Sequence, residues 1–212
     1  TLGRSRITSV IDTSHAEGLI VFDQFPLQTT VEAAVGDTGV SGQLIGAARF
    51  NVPWGNLRDT TLDFASEGIR LSQGNTGTDA ETRGNVAFRY QKGALFIDQA
   101  LFEGAGRWEA SGQISPETLG FRLSARNADF TPILSLVPQL ANFGLGASGT
   151  LELSARGNFA DPQISVLSDA LNVNVGGSSY QLQNARLNLA GTKLTTQAQL
   201  QGVSPITGNL TV

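Results

Sequence analysis

The side chains best suited to proton or nucleophile chemistry gather near the start of this sequence: Asp12, Ser14 and the single histidine, His15. A Ser-His-Asp relay needs three groups converging in a fixed order in space, and adjacency along one strand or turn does not arrange that. His15 therefore reads as a surface-loop residue. The carboxylates Asp63, Glu67, Asp98, Glu103 and Glu109 are raw material for paired acid and base work on a glycosidic bond, but no context singles out a pair. Gly36-Asp37-Thr38-Gly39 and Asn75-Thr76-Gly77-Thr78-Asp79 carry oxygens a calcium ion could use, yet neither holds a full ligand set. Both read as turns. Gly104-Ala105-Gly106 lies between expected strands and opens no helix, so it does not cradle a phosphate. With one His and no Cys there is no zinc spacing. No enzyme, cofactor or metal is expected.

The positioning elements follow from composition and period. Of 212 residues, 40% are hydrophobic and 15% charged, with a formal net charge of -4. Charged residues usually make up about 25% of a soluble domain. The polar surface must therefore come from Gln, Asn, Ser and Thr, which suit the outer face of strands. The absence of cysteine is compatible with an oxidising compartment. A pI of about 4.9 without a basic block argues against nucleic acid. Methionine is absent, including at position 1, so residues 1–212 are expected to be one continuous segment of a longer protein.

Apolar residues recur with a period of two almost throughout. Leu27–Val35 alternates, as do Val86, Phe88 and Tyr90. Trp108, Ala110 and Ile114 share a parity, and so do Leu119, Phe121, Leu123 and Ala125. The last third is cleanest: Leu151 and Leu153 oppose Glu152 and Ser154, Leu171, Val173 and Val175 oppose Asn172 and Asn174, and Leu194, Ala198 and Leu200 oppose Thr195, Gln197 and Gln199. Turn signals such as Gln91-Lys92-Gly93, Ser115-Pro116-Glu117-Thr118, Gly176-Gly177-Ser178-Ser179 and Gly191-Thr192-Lys193 separate these runs. Roughly 13 to 15 strands wired as a meander are expected. The apolar phase slips by one residue at Ser66-Glu67-Gly68, Ser168-Asp169-Ala170 and Gln183-Asn184-Ala185. Each slip demands a bulge or corner, and repeated corners curl a sheet. Thr131–Gly144 breaks the pattern, with Thr131 as N-cap, Pro132 at the first helical position and Pro138 limiting the length. A short helix near 131–143 is expected there.

The run Gly149-Thr150-Leu151-Glu152-Leu153-Ser154-Ala155-Arg156-Gly157-Asn158-Phe159-Ala160-Asp161-Pro162 resembles the repeats of the TamB family of AsmA-like envelope proteins. Those repeats read Gly-x-Leu-x-Leu, then a Gly, then Asp-Pro before the next strand. Ser168–Val173, Gln183–Gly191, Ala125–Phe130 leading into Pro132-Ile133-Leu134, and Gly42–Pro53 are similar to the same pattern. The likeness covers about residues 40–212 and is thinner over 1–39. It implies an all-β, elongated, strongly curved antiparallel sheet, a β-taco-like trough with an apolar concave face, roughly 60 to 70 Å long at about 4.8 Å per strand. It also implies an inner-membrane-anchored periplasmic protein that supplies lipid to the outer membrane, with phospholipid acyl chains as ligand. An outer-membrane β-barrel and nascent outer-membrane proteins are the further implied partners. On that reading Val86, Phe88, Phe121, Leu123, Leu151, Leu153, Leu171, Val173, Val175, Leu182, Leu187, Leu189 and Leu200 line the trough. The competing expectation is an adhesin-like or carbohydrate-binding sandwich or solenoid with a closed core, in which exposed Trp54, Trp108 and Tyr180 bind.

Overall fold

The computed structural model describes residues 4–28, 40–73, 82–131, 145–200 and 205–211. Among them the period of two becomes thirteen antiparallel strands: β1 (Arg4–Ile11), β2 (His15–Pro26), β3 (Val40–Pro53), β4 (Thr61–Gln73), β5 (Thr82–Gln91), β6 (Ala94–Gly104), β7 (Gly106–Ile114), β8 (Leu119–Asp129), β9 (Gly146–Gly157), β10 (Pro162–Val175), β11 (Ser178–Ala190), β12 (Lys193–Leu200) and β13 (Pro205–Thr211). Strand order in the antiparallel sheet follows chain order, a meander. The chain packs as two compact units, Thr1–Gly104 with Ser111–Ser115, and Ala105–Ala110 with Pro116–Val212.

Tight turns set the meander. Lys92 and Gly93 both have positive φ (51° and 77°), as do Gly176 and Gly177 (55° and 85°), which is the backbone a two-residue hairpin needs to match strand twist. The alternation expected over Leu27–Val35 does not extend β2, which ends at Pro26; residues 29–35 lie outside the described residues. The same holds for residues 36–39 and 75–79, and, beyond Thr131, for the helix expected near 131–143.

Each phase slip in the sequence is a bulge. In the first unit Gly46 faces Ser66 while Ile45 faces Gly68, so β4 carries Glu67 as an extra residue. β6 carries an extra residue at Asp98. β2 carries one between Phe22 and Phe25, where Gln24 adopts φ 52°. In the second unit β8 bulges at Asn127 (φ 49°), β10 within Ser168–Ala170, and β11 at Asn184 (φ 52°). A bulge bends its strand and raises the local twist, so a row of them curls the sheet. After each one the apolar residues return to the same face.

Two serines repair the ladder at these corners. The Val86 N–H donates to Ser66 Oγ at 2.6 Å, and Ser66 Oγ donates to the Val86 carbonyl at 3.2 Å. Ser168 Oγ donates to the Thr150 carbonyl at 2.6 Å. Ser66→Ala is expected to lower stability by about 1–3 kcal/mol, because it leaves a partly buried N–H without a partner. A urea midpoint that falls with an unchanged slope is the expected reading.

Candidate functional site

Facing residues on neighbouring strands share a side of the sheet, so the registers assign each unit's faces. In the first unit Ile20, Ala48, Phe64, Phe88 and Ile97 face one another in succession across β2 to β6. Val86 lies on that side opposite Ala100. Phe22 meets Phe25 edge-on at 5.5 Å and Phe64 at 6.3 Å, and Phe64 stacks on Phe88 at 4.9 Å. The Phe64–Phe88 stack ties β4 to β5 beyond what its area alone contributes, and the Phe22–Phe64 contact reaches across β3.

In the second unit one row runs Leu123, Leu153, Val166 and Leu187, ending at Thr196. A parallel row runs Phe121, Ala155, Ile164, Leu189 and Leu194. Beyond the bulges Leu171 faces Leu182, which faces Leu200, and Val173 faces Tyr180. Leu151 faces Ala125. The sequence-predicted lining residues of this unit thus share one face. Twelve of the thirteen predicted residues in the two units are half-buried, and Val175 is 40% exposed. Among the described residues no large side chain is fully buried. Ile164, Val166 and Leu194 belong to the same apolar rows, and their alternation is legible in the sequence. Tyr180, an aromatic that the closed-core expectation places in a binding site, is 45% exposed and faces Val173 on this side of the sheet, and Trp54 is likewise exposed.

The face has two local features. Ala125 and Ala128, both at 0% exposure, pack with Phe130 and Ala147 under Trp108, whose ring meets Phe130 edge-on at 5.2 Å. Near the β10–β11 corner, Leu151, Val166, Leu171, Ala185, Leu187 and Ala198 line a groove of about 220 Å3. A larger groove of about 480 Å3 in the first unit belongs chiefly to the other face, with Val10, Glu17, Leu19, Arg49 and Asp63 in its lining.

Carboxylates sit on the polar faces beside arginines. Arg89 donates from Nε and Nη2 to both oxygens of Asp98 at 2.8 Å, faces Asp63, and lies 5.5 Å from the centre of the Phe96 ring. The hydrogen bond from Arg89 holds the Asp98 carboxyl below its ordinary range, and Asp98 raises the guanidinium in turn. Arg107 donates from Nε and Nη2 to Glu109 Oε1 at 2.8 and 2.6 Å. Such exposed pairs contribute little to stability.

The His15 cluster is a turn lock. Asp12 Oδ1 accepts from Ser14 Oγ at 2.7 Å, from the Ser14 N–H at 2.7 Å and from the His15 N–H at 2.9 Å. Ser14 Oγ and Asp12 Oδ2 both lie beside His15 Nδ1, at 3.0 and 3.1 Å, while Nε2 faces Glu17 at 3.9 Å. A relay needs hydroxyl and carboxylate hydrogen-bonded to opposite ring nitrogens; here Ser14 and Asp12 share Nδ1, and Glu17 lies beyond hydrogen-bond distance of Nε2. The Ser14 hydroxyl, followed by the two N–H groups, holds the Asp12 carboxyl well below the usual range. A depressed carboxylate stabilises the fold above its unfolded pKa of about 3.9 and loses that contribution as pH falls through the lower folded value. The turn is therefore expected to persist through pH 4 and open only in stronger acid, with Asp12→Ala speeding amide exchange at Ser14 and His15 at neutral pH.

Among the described residues no group of three His, Cys, Asp or Glu side chains converges as a metal site, and no helix is long and apolar enough to cross a membrane. Comparison with known proteins found no family model, no curated protein and no solved structure that matches the chain.

Proposed function

We propose that this chain is a lipid-conduit segment of a cell-envelope protein, shielding phospholipid acyl chains on its apolar faces across the periplasm toward the outer membrane. The observation that carries the reading is the half-exposure of whole cross-strand rows, such as Leu123, Leu153, Val166 and Leu187, with no large side chain fully buried among the described residues. A monomeric soluble protein rarely leaves so much contiguous apolar surface uncovered without a ligand or partner. Each acyl methylene exposed to water costs about 0.8 kcal/mol, so a two-chain lipid needs continuous cover to cross an aqueous gap. Rows that repeat across the sheet let a chain slide with little change in contact area. The sequence likeness to TamB-family repeats supports the envelope setting, membrane anchorage elsewhere in the protein and a further role in outer-membrane β-barrel assembly. A closed carbohydrate-binding domain keeps Trp54 and Tyr180 as exposed aromatics, but its third candidate, Trp108, packs against Phe130 and alanines, and its closed core lacks any fully buried large side chain among the described residues.

The test is titration with an apolar fluorescent dye. The native protein should bind the dye and release it to added short-chain phospholipid, while the near-ultraviolet signal of Trp108 stays fixed. Dye that fails to bind the native state would count against an open face.

A further inference from the structure

Two phenylalanine rings of the first unit lie across glycines instead of standing off the sheet. Phe50 faces Gly18 and Phe102 faces Gly84. A methyl group placed on Gly18 would stand 2.8 Å from Phe50 Cζ and 3.0 Å from Cε1. One placed on Gly84 would stand 2.9 Å from Phe102 Cε1 and closer still to Cδ1. Atoms at the far end of a ring come that near a neighbouring strand's Cα only when the ring leans over along the sheet. Neither glycine has a φ in the left-handed region; Gly18 lies in regular pairing, and Gly84 faces Ile69 at the edge of the β4 bulge while pairing regularly with β6. Glycine inside a strand weakens it unless something must approach closely, and here a ring and a backbone carbonyl both do, Phe50 and Thr8 at Gly18, Phe102 and Leu101 at Gly84. All four residues belong to the face that carries Phe64 and Phe88.

We propose that the pairs Gly18–Phe50 and Gly84–Phe102 set the depth of this unit's apolar face. The two laid-down rings make a low floor along which an unbranched acyl chain keeps contact without meeting an upright side chain. A methyl group at either glycine forces its ring upright and dams the floor. The inference rests on the lipid-conduit reading and adds what governs passage: the glycines under the rings, in addition to the apolar residues between them.

A phospholipid carrying a diazirine in one acyl chain, photolysed on the protein and mapped by peptide mass spectrometry, tests this. The unaltered protein should be labelled in both units. With Gly18→Ala and Gly84→Ala together, labelling of the first unit should fall about tenfold, equivalent to about 1.4 kcal/mol, while labelling of the second unit persists. Adding Phe50→Leu and Phe102→Leu should restore it, since the shorter side chain clears the methyl. Unchanged labelling of the first unit in a folded double-alanine protein overturns the proposal and leaves the lipid reading standing. An absence of label in both units of the unaltered protein removes the lipid reading itself. The new methyl groups would also meet the Thr8 carbonyl at 2.6 Å and the Leu101 carbonyl. If the alanine variants fail to fold even with both leucines present, the glycines serve backbone approach and the ring-based account is wrong.

Discussion

Leu153→Asp is expected to abolish phospholipid binding in the second unit while leaving the sheet folded. Leu153 stands between Leu123 and Val166 in the middle of an apolar row. Because it is half-buried, a carboxylate there keeps much of its hydration when no lipid is bound, and the fold should lose only about 1–2 kcal/mol of apolar packing. An acyl chain lying over the same position would strip that water without offering a hydrogen bond, at a cost of several kcal/mol. Affinity should fall on the order of a hundredfold, about 2.7 kcal/mol. Leu153→Ala, which introduces no charge, should weaken binding only several-fold. A closed core would behave in the opposite way: the aspartate would unfold it, because an unpaired buried charge destabilises a fold more than a lost methylene does.

Trp108→Ala has the largest expected effect on stability. Its ring meets Phe130 edge-on and packs over Ala125 and Ala128, the two residues of 0% exposure. The alanines beneath it have no side chain to extend, so only Phe130, Leu151, Leu171 and Val173 around the cluster could move toward the space. Removing the ring should cost about 3 kcal/mol, near the lower end for a large aromatic because Trp108 is itself only half-buried. Thermal melting should show it, and lipid binding at the Leu153 row should survive at temperatures where the variant remains folded. Ala125→Leu should also destabilise, by overfilling the same place, at about 1–3 kcal/mol.

What the sequence disclosed was the part written in its period. Alternation at Leu151–Leu153 and Leu171–Val175 predicted strands, and the slips at 66–68, 168–170 and 183–185 located bulges that the registers contain. Phase is readable because side-chain direction alternates strictly along a strand, so a single extra residue reverses it. The bulges at Gln24, Asp98 and Asn127 were missed for a physical reason. Apolar residues near them, such as Val21 beside Phe22 and Phe96 beside Ile97, supply both parities and blur the slip. The role of Ser66 in repairing the ladder depends on a neighbour twenty residues away and leaves no local mark. The leaning of Phe50 over Gly18 is equally silent, since it depends on a pairing thirty-two residues apart. Trp108 looked like a free aromatic because its alanine partners are too small to register as a core.

The most direct test of the lipid-conduit account is native mass spectrometry with lipid extraction on the protein purified gently from a bacterial host. The account predicts co-purifying phospholipid that disappears when Leu153 and Val173 are both replaced by Asp, with the β-sheet circular dichroism retained. A protein that emerges free of lipid and also refuses added phospholipid would contradict it and leave a structural β-domain in its place.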